Sequence, residues 1–264
     1  MRWVNLKVSG NVDIWPVPWF LFSLAPEVVP VDYALSLGCG PGNLEREVIR
    51  LDAARRITGV DISDKSLEIA EGLAKDAGFS DRIVYRTSSA LEWLREGETV
   101  LDIDLVFFHG SLHHMEPLEA LLDLCGRRLL RGSPGLLFVD EYIGPSREEW
   151  GPGDIEVASN LFERIPERCR CVPYLVPPIA CDDPSEMIRS SEILPLLRER
   201  FELLEYRPYF GNVLMPLVSG IKASALDDPG VRLTLREAMK IEDDLARSGE
   251  LEPLHAVVVA KPKG

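Results

Sequence analysis

Three glycines at alternate positions carry the first chemical signal. Leu35-Ser-Leu-Gly-Cys-Gly-Pro-Gly42 runs from an apolar stretch into Gly38, Cys39, Gly40, Pro41 and Gly42. Glycine lets the main chain turn tightly and lets a ligand approach the backbone without meeting a Cβ. The helix start beyond the turn offers unpaired N–H groups to an anion. A dinucleotide site asks for Gly-x-Gly-x-x-Gly. Counted from Gly38, the third glycine position holds Asn43; counted from Gly40, it holds Glu45, whose carboxylate would repel a pyrophosphate. A single carboxylate, such as that of an amino acid, suits this turn better. Glu45 has two open readings, a partner for the helix dipole or a cofactor contact. Asp61 closes the next apolar stretch, about 20 residues on, where an acid accepts hydrogen bonds from both hydroxyls of a ribose. Ile62 follows it at the same edge, and Ser63 is a plausible helix cap.

Histidines form the second cluster. His109, His113 and His114 are three of only four in the chain and follow the apolar run at 104–108. Imidazole titrates near neutral pH, so His113 or His114 suits a general base. The main chain at His109 and Gly110 can line a cofactor. No cysteine or carboxylate stands at ligand spacing from these histidines, so no metal site is expected. Glu141 and Tyr142, after the next apolar run, should share that mouth: Glu141 to bind or deprotonate an acceptor, Tyr142 to contact it. Arg147 either binds an anionic acceptor or pairs with Glu148 or Glu149, and Trp150 is either core or a platform for a ring. Trp3, Trp15 and Trp19 are core, or a cap over the acceptor. Ser88 to Leu91 follow a further strand, with the Ala90 N–H available to a purine and Ser89 a helix cap. The acidic run Glu242, Asp243 and Asp244 reads as a solvated helix face.

The elements that must position these groups alternate. Residues 33–37, 57–62, 82–86, 104–109 and 135–141 read as strands; 44–53, 65–77 and 118–130 read as helices. Such alternation means βαβ units, a parallel sheet and right-handed crossovers. After Glu141 the pattern changes. Residues 142–184 are rich in Pro and Gly, with a helical stretch near 155–167. Residues 185–200 look helical, 201–209 and 255–260 look like strands, and 211–252 between those strands contain a helix at 233–247. The expectation is one domain over residues 1–264. Its core at 30–141 binds the cofactor, and 1–29, 142–184 and 211–252 build a cap over the acceptor.

Taken in order, Leu35-Ser-Leu-Gly-Cys-Gly-Pro-Gly42, Gly59-Val-Asp-Ile-Ser63, Asp104-Leu-Val-Phe-Phe-His-Gly-Ser-Leu-His-His114 and Leu130-Arg-Gly-Ser-Pro-Gly135 resemble the class I S-adenosylmethionine-dependent methyltransferases. More narrowly, the chain resembles a bacterial subgroup with Leu-His-His after the fourth strand and Glu-Tyr-Ile-Gly-Pro-Ser-Arg after the fifth. That subgroup often accompanies glycan or secondary-metabolite genes. The resemblance implies a doubly wound, Rossmann-like α/β fold. Its seven-stranded, mostly parallel sheet would place an antiparallel last strand, residues 256–260, between the fifth and sixth. It implies S-adenosylmethionine as cofactor, held by Gly38, Cys39, Gly40, Gly42, Asp61, Ile62, Ser89, Ala90, His109 and Gly110. It also implies methyl transfer to a small-molecule oxygen or nitrogen. Two positions depart from the family pattern: Ser36 and Ser89 stand where an acid is usual.

Composition limits the alternatives. The chain has 264 residues, 46% hydrophobic and 27% charged, with a net charge of −14. That apolar content excludes disorder as the main state. The acidity argues against nucleic acid and against anionic membrane surfaces, while leaving room for a local basic pocket. Five cysteines without a CxxC pair fit a reducing cytoplasm and no zinc or thioredoxin-type site. Arg2 and Lys7 precede an apolar run at 14–25, but Asp13, Pro16 and Pro18 argue against a signal peptide. No run reaches the ~18 residues of a membrane span. Oligomeric state stays open, a homodimer included. The rival classes are a non-catalytic binding protein that keeps the fold and, more weakly, a nicotinamide-dependent dehydrogenase.

Overall fold

A computed structural model of the chain describes residues 2–96, 103–129, 134–177 and 183–263. In it the apolar runs pair side by side. Val31–Leu37 (β1), Ala54–Asp61 (β2), Ile83–Thr87 (β3), Leu105–His109 (β4), Leu136–Tyr142 (β5), Phe201–Pro208 (β6) and His255–Pro262 (β7) form one seven-stranded sheet ordered β3-β2-β1-β4-β5-β7-β6. The first five are mutually parallel, and β7 runs antiparallel to both β5 and β6. This is the sheet that the motif order implied, with β7 inserted between the fifth and sixth strands. Residues 130–133 of the fourth motif, and Cys181, lie outside the described residues.

Both faces of the sheet are covered, which is why β4 is apolar without alternation. On one face Ala34, Phe107 and Phe138 meet the helices Asn43–Arg50 and Asp64–Asp76. On the other, Leu35, Leu37, Val106 and Phe108 meet the helices Leu118–Leu129 and Ser190–Arg200. Local chemistry sets the helix ends. Ser63 accepts the Ser66 N–H at 3.2 Å, and Gly78 turns at φ 75° just beyond Ala77.

The first thirty residues show no period in sequence because they form three short pieces: the helix Arg2–Ser9, the turn Pro16–Trp19 and a π-helical turn, Phe20–Leu24. Much of this segment is core rather than cap. Phe20 is fully buried and packs 5.0 Å from Phe138, ring centre to ring centre. Trp15 reaches the mouth described below, against His109.

Past β5 the chain builds a smaller apolar cluster from Tyr142, Trp150, Ile155, Phe162, Val213, Leu217 and Val231. The helix expected at 155–167 stops at Phe162, ahead of Pro166, and the helix expected at 233–247 extends to Pro229–Ser248. The reading of Glu242 as solvated is corrected. It is fully buried, and its carboxylate accepts the N–H groups of Gly211, Val213 and Leu214 at 3.1, 2.7 and 3.1 Å. Those amides open the helix Leu214–Ser219 and have no intrahelical partner, so a carboxylate from a neighbouring helix satisfies them. Asp243, one residue on, does stay at the surface side and pairs with Lys7 at 2.5 Å.

Candidate functional site

The carboxyl ends of β2, β1, β4 and β5 stand next to one another and define the mouth. Gly38, Gly40 and Gly42 close β1 with positive φ angles of 74°, 52° and 71°. Gly38 and Gly42 are also held by space. A methyl on Gly38 would come within 2.4 Å of Ser111 Cβ, and one on Gly42 within 2.2 Å of the Tyr85 hydroxyl. Gly40 differs: a methyl there would meet nothing within 4 Å. The turn is therefore packed on two sides and open on the third, which is the surface a ligand could approach. The Cys39 thiol lies inside the turn beside Gly59.

Asp61 ties the turn to the next strand. One carboxylate oxygen accepts the Gly40 N–H at 2.8 Å and the other accepts the Ser63 N–H at 2.9 Å. A carboxylate has about four acceptor positions, so two remain for a ligand. Beside it Ile62 leaves 77% of its surface exposed, an apolar platform at the mouth. Ser89 caps the helix Ala90–Glu96: it accepts the Glu92 N–H at 3.2 Å and donates to the Glu92 carboxylate at 2.8 Å. Glu45 lies beneath the turn, fully buried, with neither oxygen hydrogen-bonded at normal distance among the described residues. Burial pushes its pKa up to about 7, against the opposing influence of nearby Ser36. The Tyr85 hydroxyl in the same layer likewise makes no hydrogen bond at normal distance among the described residues.

Histidines occupy the other half of the mouth. Glu141, at the end of β5, is 1% exposed. It accepts the backbone N–H groups of Ser111 and Leu112, both at 2.5 Å, and of Tyr142 at 3.2 Å. It also meets His113 Nδ1 at 2.6 Å. All of its partners being donors, His113 carries its proton on Nδ1, which leaves Nε2 as the free nitrogen in the neutral ring. Burial alone would lower the pKa of His113. The Glu141 hydrogen bond and the charges of Glu141, Glu186 and Asp183 outweigh it, and the net direction is up. His114 lies beside His113 with ring centres 4.2 Å apart and planes tilted by 39°, and its Nδ1 lies 3.0 Å from the Ser185 hydroxyl. His109 Nε2 stands 3.6 Å from Asp140, and Trp15 meets the His109 ring edge-on at 5.5 Å.

The cap segment 183–189 crosses this mouth. Ile188 N–H donates to the His113 carbonyl at 3.3 Å, and the Arg147 N–H donates to Met187 O at 2.8 Å. The Arg147 guanidinium donates to Asp183 O at 2.9 Å, so in this structure it anchors the segment. Glu186 thereby arrives 3.5 Å from His113 Nε2 and 3.4 Å from His114 Nε2. Tyr142 and Trp150 face inward. The indole N–H donates to the Tyr142 hydroxyl at 3.0 Å, which donates to Pro145 O at 2.9 Å. Of the two readings of Trp150 the indole takes the core one, turned into the cap cluster, where it is 7% exposed.

Sequence reasoning missed two residues here. His255 stands opposite Tyr142 in the β5–β7 register and stacks on Tyr209 at 5.2 Å. A signal for it existed, because a last strand inserted beside β5 brings its first residue to the same mouth. Glu186 gave none, since only the path of the cap places it there.

Residues 34–132 match a family model described as a methyltransferase domain. Among curated proteins, a probable methyltransferase, ltbC, of Aspergillus luteorubrus is 31% identical over 116 residues, 41% of this chain and 39% of that protein. The 27-O-demethylrifamycin SV methyltransferase of Amycolatopsis mediterranei (strain S699) is 32% identical over 117 residues, 44% of this chain and 40% of that protein. The chain spans about two fifths of the length of these curated relatives. Among solved structures, a geranyl diphosphate methyltransferase in complex with SAM has a TM-score of 0.56 at 14% identity, covering 92% of this chain and 83% of that one. A cyclase, SpnF, has a TM-score of 0.50 at 21% identity, covering 95% and 84%. At these identities the solved structures share the fold.

Proposed function

We propose that the chain is a methyltransferase that moves a methyl group from S-adenosylmethionine to a small-molecule oxygen or nitrogen, in a glycan precursor or a secondary metabolite. The observation that carries this reading is one of position. The open Gly40 face, Asp61 and the His113–Glu141 pair sit at the ends of four adjacent strands. Open α/β sheets bind ligands at that edge. The match of residues 34–132 to a methyltransferase-domain model supports it.

The residues fit the cofactor. The Gly38–Gly42 turn and the helix start beyond it present backbone N–H groups to its carboxylate, and Asp61 keeps two acceptor positions for its ribose. Ile62 offers an apolar face to the purine with Ser89 and Ala90 beside it, and the main chain at His109 and Gly110 lines the cofactor. When bound, this cofactor supplies a methyl group already activated by a sulfonium, so the chief task of the protein is alignment. A hydroxyl acceptor must also lose its proton. His113, held by Glu141, presents Nε2 for that purpose, and His114 stands beside it. Segment 183–189 covers the mouth and restricts water.

In this reading residues 1–264 work as one domain in a reducing cytoplasm, and the acceptor is not a nucleic acid. Cys39, Cys125, Cys169 and Cys171 are unbridged. Among the described residues no helix is long and apolar enough to cross a membrane. Incubation with methyl-labelled S-adenosylmethionine and a panel of hydroxyl- and amine-bearing acceptors tests the proposal. Label should pass to at least one acceptor, and His113→Ala should remove the transfer. Cofactor binding with no transfer to any acceptor would favour a binding protein that keeps the fold.

A further inference from the structure

His113, His114 and Glu186 place three ligand atoms within 4.8 Å of one another. His113 Nε2 lies 3.5 Å from one Glu186 oxygen and His114 Nε2 lies 3.4 Å from the other, both long for hydrogen bonds, which cluster near 2.7–3.2 Å. They match another geometry. Ligands held about 2.0–2.1 Å from a tetrahedral metal stand roughly 3.4 Å apart. We infer that His113 Nε2, His114 Nε2 and the Glu186 carboxylate form a site for a divalent transition-metal ion of the zinc class.

Three further features fit that ion. Metal-binding histidines usually give their second N–H to a carboxylate or another acceptor, which fixes the tautomer. His113 Nδ1 has Glu141 at 2.6 Å, and His114 Nδ1 has the Ser185 hydroxyl at 3.0 Å. Two neutral imidazoles and one carboxylate are the donor set that zinc, cobalt and iron(II) prefer over magnesium or calcium. Glu141 and Asp183 add negative charge nearby, the Asp183 carboxylate lying 3.9 Å from His114 Nδ1. Exposure is graded as well. The His113 side chain is 10% exposed, whereas His114 and Glu186 are 32% and 28% exposed, so the site is open on its cap side.

Three protein ligands leave at least one coordination position vacant, as in catalytic rather than structural sites. On the methyl-transfer reading, on which this last point rests, an acceptor hydroxyl fills that position. Held by these three residues, the ion would acidify that hydroxyl, which would give its proton to water as its oxygen takes the methyl group and the bond from that methyl to the sulfonium sulfur breaks. Ion and proton compete for the same Nε2 atoms, so a loaded site replaces the histidine base instead of assisting it.

The test separates the two readings, because it needs no cofactor and no acceptor. The purified chain is stripped with a chelator and titrated with Zn2+ by calorimetry and with Co2+ by visible absorption. One ion per chain should bind at roughly micromolar or tighter affinity, with the strong visible bands of a low-coordinate Co2+ site. Glu186→Gln should weaken binding and dim those bands. Glu141→Gln, which removes only the positioning carboxylate, should weaken binding by about 10–100-fold. Should Glu186→Gln fold poorly, ring-proton NMR of the intact chain replaces it: Zn2+ should shift His113 and His114 together and leave His255 in place. Failure of the intact chain to bind either ion, or affinity that ignores both substitutions, overturns the site.

Discussion

Glu141 and Glu242 use the same device in two regions and end with different roles. Each is a buried carboxylate that accepts three backbone N–H groups, all from residues 211–214 for Glu242, and from Ser111, Leu112 and its own strand neighbour Tyr142 for Glu141. Around Glu242 lies the apolar cluster of the cap, and its amides are its only described partners. Burial raises its pKa, opposed by those same amides. Around Glu141 lies the open end of β5, and a fourth donor, His113, completes its shell. A buried carboxylate with three amides is a brace in both places. What separates the site from the staple is an additional titratable ring, whose Nε2 faces Glu186 at 3.5 Å.

Substitution of the two braces should pull them apart. Glu242→Ala should have the largest effect, orphaning three buried N–H groups and leaving a void, at a cost of about 4 kcal/mol. Thermal unfolding should register it as a fall of roughly 10 °C, while metal and cofactor affinity of the folded fraction stay as before. A loss below ~1 kcal/mol would mean that Glu242 is no brace at all.

Glu45 sharpens the comparison from the opposite side, as a buried carboxylate that accepts no amide at normal hydrogen-bond distance among the described residues. Its pKa of about 7 in the fold exceeds the ordinary 4.5, so the folded chain keeps this proton to higher pH than the unfolded chain. Its ionised form is therefore penalised, and stability falls as pH rises from 4.5 through 7. Glu45→Gln should raise stability above pH 7 by up to ~3 kcal/mol and change little near pH 4. Denaturant unfolding at the two pH values checks it, and equal shifts at both would refute the assignment.

Glu141→Gln should be milder for the fold, at about 1–2 kcal/mol, because an amide oxygen still accepts the backbone donors. Its signature lies in His113 of the metal-free chain. The wild-type ring has a raised pKa, so its stabilisation is full below pH 6.5 and disappears as pH rises through the raised value. In the variant, burial acts with less opposition, and the pKa of His113 should drop, as read by NMR titration. Smallest is Trp15→Ala, which removes the edge-on contact with His109 at about 1 kcal/mol. It should leave both braces untouched in thermal unfolding.

These contrasts also explain what could be read in the sequence. The sheet was legible because β4 and the first half of β5 are continuous apolar runs, β1 and β2 are largely apolar near their ends, and all four end at residues whose types carry meaning: Gly38, Asp61, His109 and Glu141. The place of β7 followed only from the motif order of a resembling family. The cap was not legible. Glu242 reads as one acid among three on a helix, and only the unsatisfied amides at Leu214 call it inward. Glu186 joins His113 and His114 through the path of residues 183–189, which no periodicity encodes. Trp150 read either as core or as a platform because an indole serves both as core and as a ring-stacking surface. Its hydrogen bond to Tyr142 decides between them here.

The central claim is that the open turn and Asp61 hold S-adenosylmethionine. It is tested most directly by calorimetric titration of the wild-type chain and Asp61→Asn with S-adenosylhomocysteine. Asparagine keeps an acceptor for the Gly40 N–H, so the turn should persist while a charged contact to the ribose is lost. The account predicts one site per chain in the wild type and an affinity about 10-fold or more weaker in Asp61→Asn. A wild-type chain that binds none of this ligand, or a variant that binds it equally well, would contradict the account.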